Sequence, residues 1–69
     1  MNIDILVANL QNTIAGKEAL LQRVTHPFVR EFIQINVNEL NRILADAKVV
    51  QKQVIDLEVR LDGFVHGSL

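Results

Sequence analysis

Apolar side chains recur along the first third of the chain at alternating intervals of three and four residues. This spacing places them on one face of an α-helix. Asn2 is a suitable N-cap, and Asp4 falls in the first turn, where the helix dipole favours negative charge. We therefore expect a helix over about residues 2–24. Its apolar positions are Ile3, Val7, Leu10, Ile14, Leu21 and Val24, with Lys17 as the one polar member of the series.

A second, longer helix is predicted after Pro27, the one proline of the chain, which indicates a turn near residues 25–27. The same spacing resumes at Val29 and continues for five heptads, and Gly63 is typical of a helix end. We predict a helix over about residues 27–62, followed by a short flexible tail from about residue 63. The positions of this second-helix seam are Val29, Ile33, Asn36, Leu40, Ile43, Ala47, Val50, Val54, Leu57, Leu61 and Phe64.

Residues 33–38 and 55–62 also alternate between apolar and polar side chains, which is the pattern of a half-buried strand. The many valines and isoleucines favour strands as well. The helical interpretation is stronger because its pattern is longer and because two isolated strands do not make a sturdy sheet. The predicted fold is an all-α helical hairpin.

The two predicted helices differ in length, at roughly 33 Å and 52 Å for 1.5 Å per residue. In a hairpin, the second helix would therefore extend past the first from about residue 50 to residue 61. The second helix also carries apolar residues off the seam, and a helix that is apolar on two sides has more than one neighbour. We predict a homo-oligomer, at least a dimer of hairpins, that forms a helical bundle through the seam. The predicted second interface consists of Phe32, Ile35, Ile55 and Val59.

Composition excludes several kinds of chemistry. The 69 residues include no cysteine, which excludes disulfides, zinc-thiolate sites and thiol catalysis. His26 and His66 are too few for a zinc site, so we expect no metal and no cofactor. The net charge of −1 gives no general attraction to an anionic membrane. With no signal peptide and no apolar run long enough to span a bilayer, the expected location is the cytoplasm.

The sequence shows no spacing typical of a catalytic site, and we predict that the protein is not an enzyme. The leading interpretation is a small adaptor, assembly or inhibitor module that binds another protein through the exposed apolar surface of its second helix. One alternative is an oligomer that binds a small ligand, such as a nucleotide or metabolite, in pockets between subunits. Arg30, Asn36 or Arg42 would line such pockets. In the first interpretation, Asn36 instead fixes the register of the assembled helices.

A further alternative is a helical hairpin that binds nucleic acid. Arg42, Lys48 and Lys52 would supply an outer basic face on the second helix. Three cations per subunit are few, and Asp46 and Asp56 interrupt the face, so we do not expect nucleic acid as the partner.

Overall fold

The structure, a computed structural model, describes the backbone of residues 2–67 and the side chains of residues 2–63. Two α-helices, α1 (Ile3–Arg23) and α2 (Pro27–Gly67), pack side by side as an antiparallel hairpin. The described residues contain no strand, and both segments with strand-like alternation lie inside α2. The prediction of an all-α hairpin is confirmed.

The ends of α1 and the start of α2 are held by short local contacts. Oδ1 of Asn2 accepts a hydrogen bond from the N–H of Asp4 at 2.8 Å, which makes Asn2 the predicted N-cap. The N–H of Val24 donates to the Leu20 carbonyl at the other end. The His26 carbonyl accepts the first helical bond of α2 from Arg30 at 2.9 Å, so Pro27 occupies the first helical position.

The C-terminal end of α2 differs from the prediction. The helix continues through Gly63 to Gly67, five residues beyond the expected end at residue 62. Glycine ends a helix by adopting a left-handed conformation, and Gly63 has no positive φ. Residues 63–67 are therefore helical instead of forming a tail. Ser68, Leu69 and the side chains of Phe64 and His66 lie outside the described residues.

The face of α1 that contacts α2 is the one its spacing predicts. Val7 and Ile14 are buried, at 5% and 6% exposure, and the other five positions of the series are half-buried. Lys17 is among the half-buried residues. Because its long aliphatic stem can lie against apolar neighbours while the ammonium reaches water, one lysine is tolerated in this series.

The face of α2 that contacts α1 is rotated from the predicted seam. Three positions of the predicted seam, Ile33, Leu40 and Ala47, contact α1. The other contact positions come one residue later than the seam predicts. They are Val37, Leu44 and Gln51, in place of Asn36, Ile43 and Val50. Ile14, Ile33 and Val37 form the centre of the core. The residues of α2 that face α1 are Ile33, Val37, Leu40, Leu44, Ala47 and Gln51.

The difference in helix length is larger than predicted. The 41 residues of α2 span about 62 Å at 1.5 Å per residue, and the long axis of the molecule measures 64 Å. Gln51 is the last described residue of α2 that is not exposed, and its side chain bonds to Asp4 in the first turn of α1. The part of α2 that extends past α1 therefore begins near residue 52, close to the expected start near Val50. We call residues 52–67 the overhang.

Candidate functional site

The main candidate site is an exposed apolar surface on one flank of α2. Successive residues of an α-helix are rotated by about 100° around its axis. Residues that are rotated in the same sense from the face of α2 that contacts α1 therefore lie on the same flank of α2. These side chains are about 40% to 70% exposed although they are large and apolar. We call this flank the apolar side, and it consists of Val29, Phe32, Ile43, Val50, Leu57 and Leu61.

The apolar side extends over α1 as well. Because the helices are antiparallel, residues rotated in the same sense from their contact face lie on the same broad side of the hairpin. On α1 these include Leu6, which lies near Val50, and Leu20, which is 42% exposed. One broad side of the hairpin therefore carries large apolar side chains from both helices.

The opposite broad side is polar. On α2 it presents amides and lysines, all exposed. The Gln34 amide donates to Oδ1 of Asn38 at 3.0 Å along this part of the helix. The polar side of α2 consists of Gln34, Asn41, Lys48 and Lys52. The contrast between the two sides means that the hairpin has one surface suited to water and one suited to a partner.

The structure divides the predicted oligomer seam between two surfaces. Ile33, Leu40 and Ala47 belong to the contact with α1, whereas Val29, Ile43, Val50, Leu57 and Leu61 belong to the apolar side. Val54, at 36% exposure, and the half-buried Asn36 lie on the boundary between them. The seam residues that a single chain leaves uncovered thus fall together on one side.

The predicted second interface is not one surface. Phe32 and Ile35 lie near the turn, about 30–40 Å along α2 from Ile55 and Val59. Ile55 lines a cleft next to the start of α1, and Val59 lies on the same flank as the polar side. Phe32 instead belongs to the apolar side. Residues that share only their distance from a seam can lie on opposite flanks of a helix.

Arg30 has a structural task that the sequence did not reveal. Its Nη1 donates to the carbonyls of Leu21 and Val24, at 2.6 and 2.8 Å. These groups lie at the C-terminal end of α1, where carbonyls lack helical partners and where a cation is favoured by the dipole. Arg30 therefore ties the start of α2 to the end of α1. Arg30, Asn36 and Arg42 do not converge on a pocket within one chain.

The three basic residues predicted to contact a ligand or nucleic acid, Arg42, Lys48 and Lys52, are all exposed. They do not lie on one face of α2. Lys48 and Lys52 are one turn apart on the polar side. Arg42 lies about 120° around the helix from Lys48 and about 9 Å along it, on the face directed away from α1. This arrangement gives no continuous basic stripe of the kind that follows a nucleic-acid backbone.

A cleft of about 510 Å³ lies at the open end of the hairpin, between the start of α1 and residues 50–58 of α2. Near the cleft, the Gln51 amide donates a hydrogen bond to Oδ1 of Asp4 at 2.8 Å. This bond joins the two helices at the open end of the hairpin. The cleft is lined by Asn2, Ile3, Asp4, Leu6, Val50, Val54, Ile55 and Glu58.

Among the side chains of residues 2–63, no group of histidine and carboxylate residues has the arrangement of a metal site. Over the part of the chain that the structure describes, neither helix contains a stretch long and apolar enough to cross a membrane. His26 packs beside Phe28 at the turn, with ring centroids 5.9 Å apart.

Comparison with known proteins gives no relative for this hairpin: no protein family, no curated protein and no solved structure matches the chain.

Proposed function

We propose that the protein is a small non-enzymatic module that binds other polypeptide chains through the apolar side, as an oligomer in assembly, adaptor or inhibitor complexes. The observation that carries this proposal is the apolar side itself. Large apolar side chains such as Phe32, at 69% exposure, and Leu57, at 56%, recur along one flank with Glu39 between them, while the opposite flank is polar as far as Lys52. Exposed apolar surface of this extent marks interaction sites in small proteins.

The small core supports the same conclusion. Only five of the described side chains are buried: Val7, Ile14, Ile33, Val37 and Ala47. A chain of 69 residues without disulfides needs additional stabilisation, and oligomerisation or partner binding supplies apolar contacts that the chain cannot make alone. A helix that presents an apolar flank can supply them by packing into a groove or a bundle.

The adjacent residues Val49 and Val50 provide a matched test. Both are valines with similar exposure, 56% and 46%, but Val50 belongs to the apolar side and Val49 faces away from it. Tagged wild-type protein and the variants Val49→Asn and Val50→Asn would be used to capture proteins from the native source. We expect wild type and Val49→Asn to retain the same proteins, including untagged copies of the chain, and Val50→Asn to lose them.

Circular dichroism on both variants establishes that the hairpin is still folded. Equal capture by Val50→Asn and Val49→Asn, with both variants helical, would contradict the proposal. So would the retention of no protein by any of the three.

The cleft at the open end supports a second candidate function, the binding of a small ligand. Its volume of about 510 Å³ lies within the range of ligand pockets, and its lining combines apolar side chains with the carboxylates of Asp4 and Glu58. A thermal-shift screen with metabolites and nucleotides tests this alternative, because a ligand that binds the folded state raises the melting temperature. No shift at millimolar ligand would argue against it.

A further inference from the structure

We propose that the apolar side is covered by the apolar side of a second copy of this chain. In this arrangement the two α2 helices run antiparallel, and the twofold axis passes near Ala47. The inference rests on the proposed function, since it names the occupant of the same surface. The result is a four-helix bundle in which each overhang packs beside the turn end of the other hairpin.

The exposed area of the single chain carries the first step. A compact monomer of 7.8 kDa exposes about 4,400 Å² by the usual scaling of area with mass. This hairpin exposes 5578 Å², which is about 1,200 Å² more. A standard stable interface buries about 800 Å² on each partner. One further copy that buries this area would remove about two thirds of the excess.

The distribution of the apolar side along α2 carries the second step. Helix α2 runs from residue 27 to residue 67, so its midpoint is close to Ala47. Exposed apolar residues lie towards both ends, at Phe32 near the turn and at Leu61 in the overhang. An antiparallel copy centred near Ala47 places its Leu61 opposite Phe32 and its Val50 opposite Ile43.

A parallel copy fits less well. It would set the two overhangs beside each other, with no contact to either α1 helix. It would also place Glu39 beside Glu39 of the second copy, because Glu39 follows Phe32 by seven residues and lies on the same flank. Like charges at such close range are destabilising. In the antiparallel arrangement Glu39 lies opposite uncharged residues near Val54, and the one acidic residue of this flank that faces its own copy is Asp46, beside the axis.

Distances between spin labels in the full chain distinguish these arrangements. The chain has no cysteine, so Thr25→Cys and Lys48→Cys each introduce a single labelling site. Both residues are exposed, Thr25 in the turn and Lys48 on the polar side. Double electron–electron resonance would be measured on each labelled protein at a concentration where sedimentation gives twice the mass of one chain.

For labels at residue 25 we expect about 65 Å, since each lies 22 residues from the axis along helices with a rise of 1.5 Å per residue. For labels at residue 48 we expect about 20–30 Å, because the packed helices lie about 10 Å apart and both label arms point outwards from the polar sides. A short distance at both sites would show a parallel pair and overturn the inference. A folded monomer with no intermolecular distance would also overturn it, while the proposed function would then still be decided by the capture experiment with Val50→Asn.

Discussion

The two helices of this hairpin use their apolar residues differently. Helix α1 directs its regularly spaced apolar positions towards α2. Its only large apolar residues that are exposed are Ile5 and Leu20. Helix α2 has one face against α1 and a second, uncovered set of large apolar residues along its flank. The two helices share one core, but α2 carries far more apolar surface than that core needs.

The difference separates the residues that form the core of the hairpin from the apolar residues that remain available for association. A helix with a single apolar face requires one neighbour, and α1 has it. A helix with two apolar faces requires two neighbours, and a single chain supplies only one to α2. Each of the following variants tests one part of this comparison and has a matched control.

The largest effect is expected in the core that both helices share. Ile14 is 6% exposed and lies at the centre of the core, so Ile14→Ala should lower the free energy of unfolding by about 3 kcal/mol. Ile5→Ala removes the same atoms from an outward position that is 58% exposed and should cost less than about 1 kcal/mol. Urea denaturation followed by circular dichroism measures both values, and equal losses would contradict the described core.

The next effect concerns the connection between the helices. Arg30→Ala removes the two hydrogen bonds from the guanidinium to the Leu21 and Val24 carbonyls, and it should lower the free energy of unfolding by about 1.5 kcal/mol. Lys48 is an exposed cation on the same flank of α2 that makes no such bonds. Lys48→Ala should change the free energy of unfolding by less than about 0.5 kcal/mol. A loss for Arg30→Ala no greater than that for Lys48→Ala would show that the cap adds nothing.

Asn36 lies half-buried on the boundary between the core face and the apolar side. Asn36→Leu should raise the free energy of unfolding by about 1 kcal/mol, because a polar group no longer has to be desolvated. It should also broaden the distribution of oligomers in sedimentation velocity, because the polar group no longer fixes the register. Asn41→Leu, on the polar side, serves as the control and should leave the distribution unchanged. A clean loss of stability in Asn36→Leu would count against its boundary position.

An effect of similar size to that of Asn36→Leu is expected at Gly16, in the middle of α1. A Cβ added at this position meets no atom within 4 Å, so the glycine is not required by packing. Gly16→Ala should raise the free energy of unfolding by roughly 1 kcal/mol through the better helix propensity of alanine. Gly63→Ala has the same open surroundings but lies in the overhang, and its effect on the thermal midpoint should be smaller. A decrease in stability for Gly16→Ala would indicate a close approach that the hairpin does not show.

The sequence predicted the helices and the contact face of α1 because a single apolar series specifies that face. It predicted the contact face of α2 only in part. Two overlapping series run along α2, one through Val37 and Leu44 and one through Ile43 and Val50, and both have helical spacing. Which series faces α1 depends on the angle at which the chain leaves the turn, and no local pattern encodes that angle.

The residues of the candidate site were likewise predicted only in part. Exposed apolar residues such as Val50 and Leu57 were correctly placed in one helix, but their separation from the core face became visible only in the packed hairpin. The task of Arg30 depends on the distance between two helix ends and has no signature in the spacing of residues. The predicted end of α2 was too early because a glycine ends a helix only when its backbone is left-handed, and Gly63 has no positive φ.

The central claim is that α2 needs a second neighbour, and the mass of the wild-type protein in solution tests it most directly. Sedimentation equilibrium from about 1 to 100 µM, with circular dichroism on the same samples, gives mass and helicity together. We predict a helical protein with at least twice the 7.8 kDa of one chain in the micromolar range. A helical monomer that remains at 7.8 kDa across the whole range would contradict self-association through the apolar side.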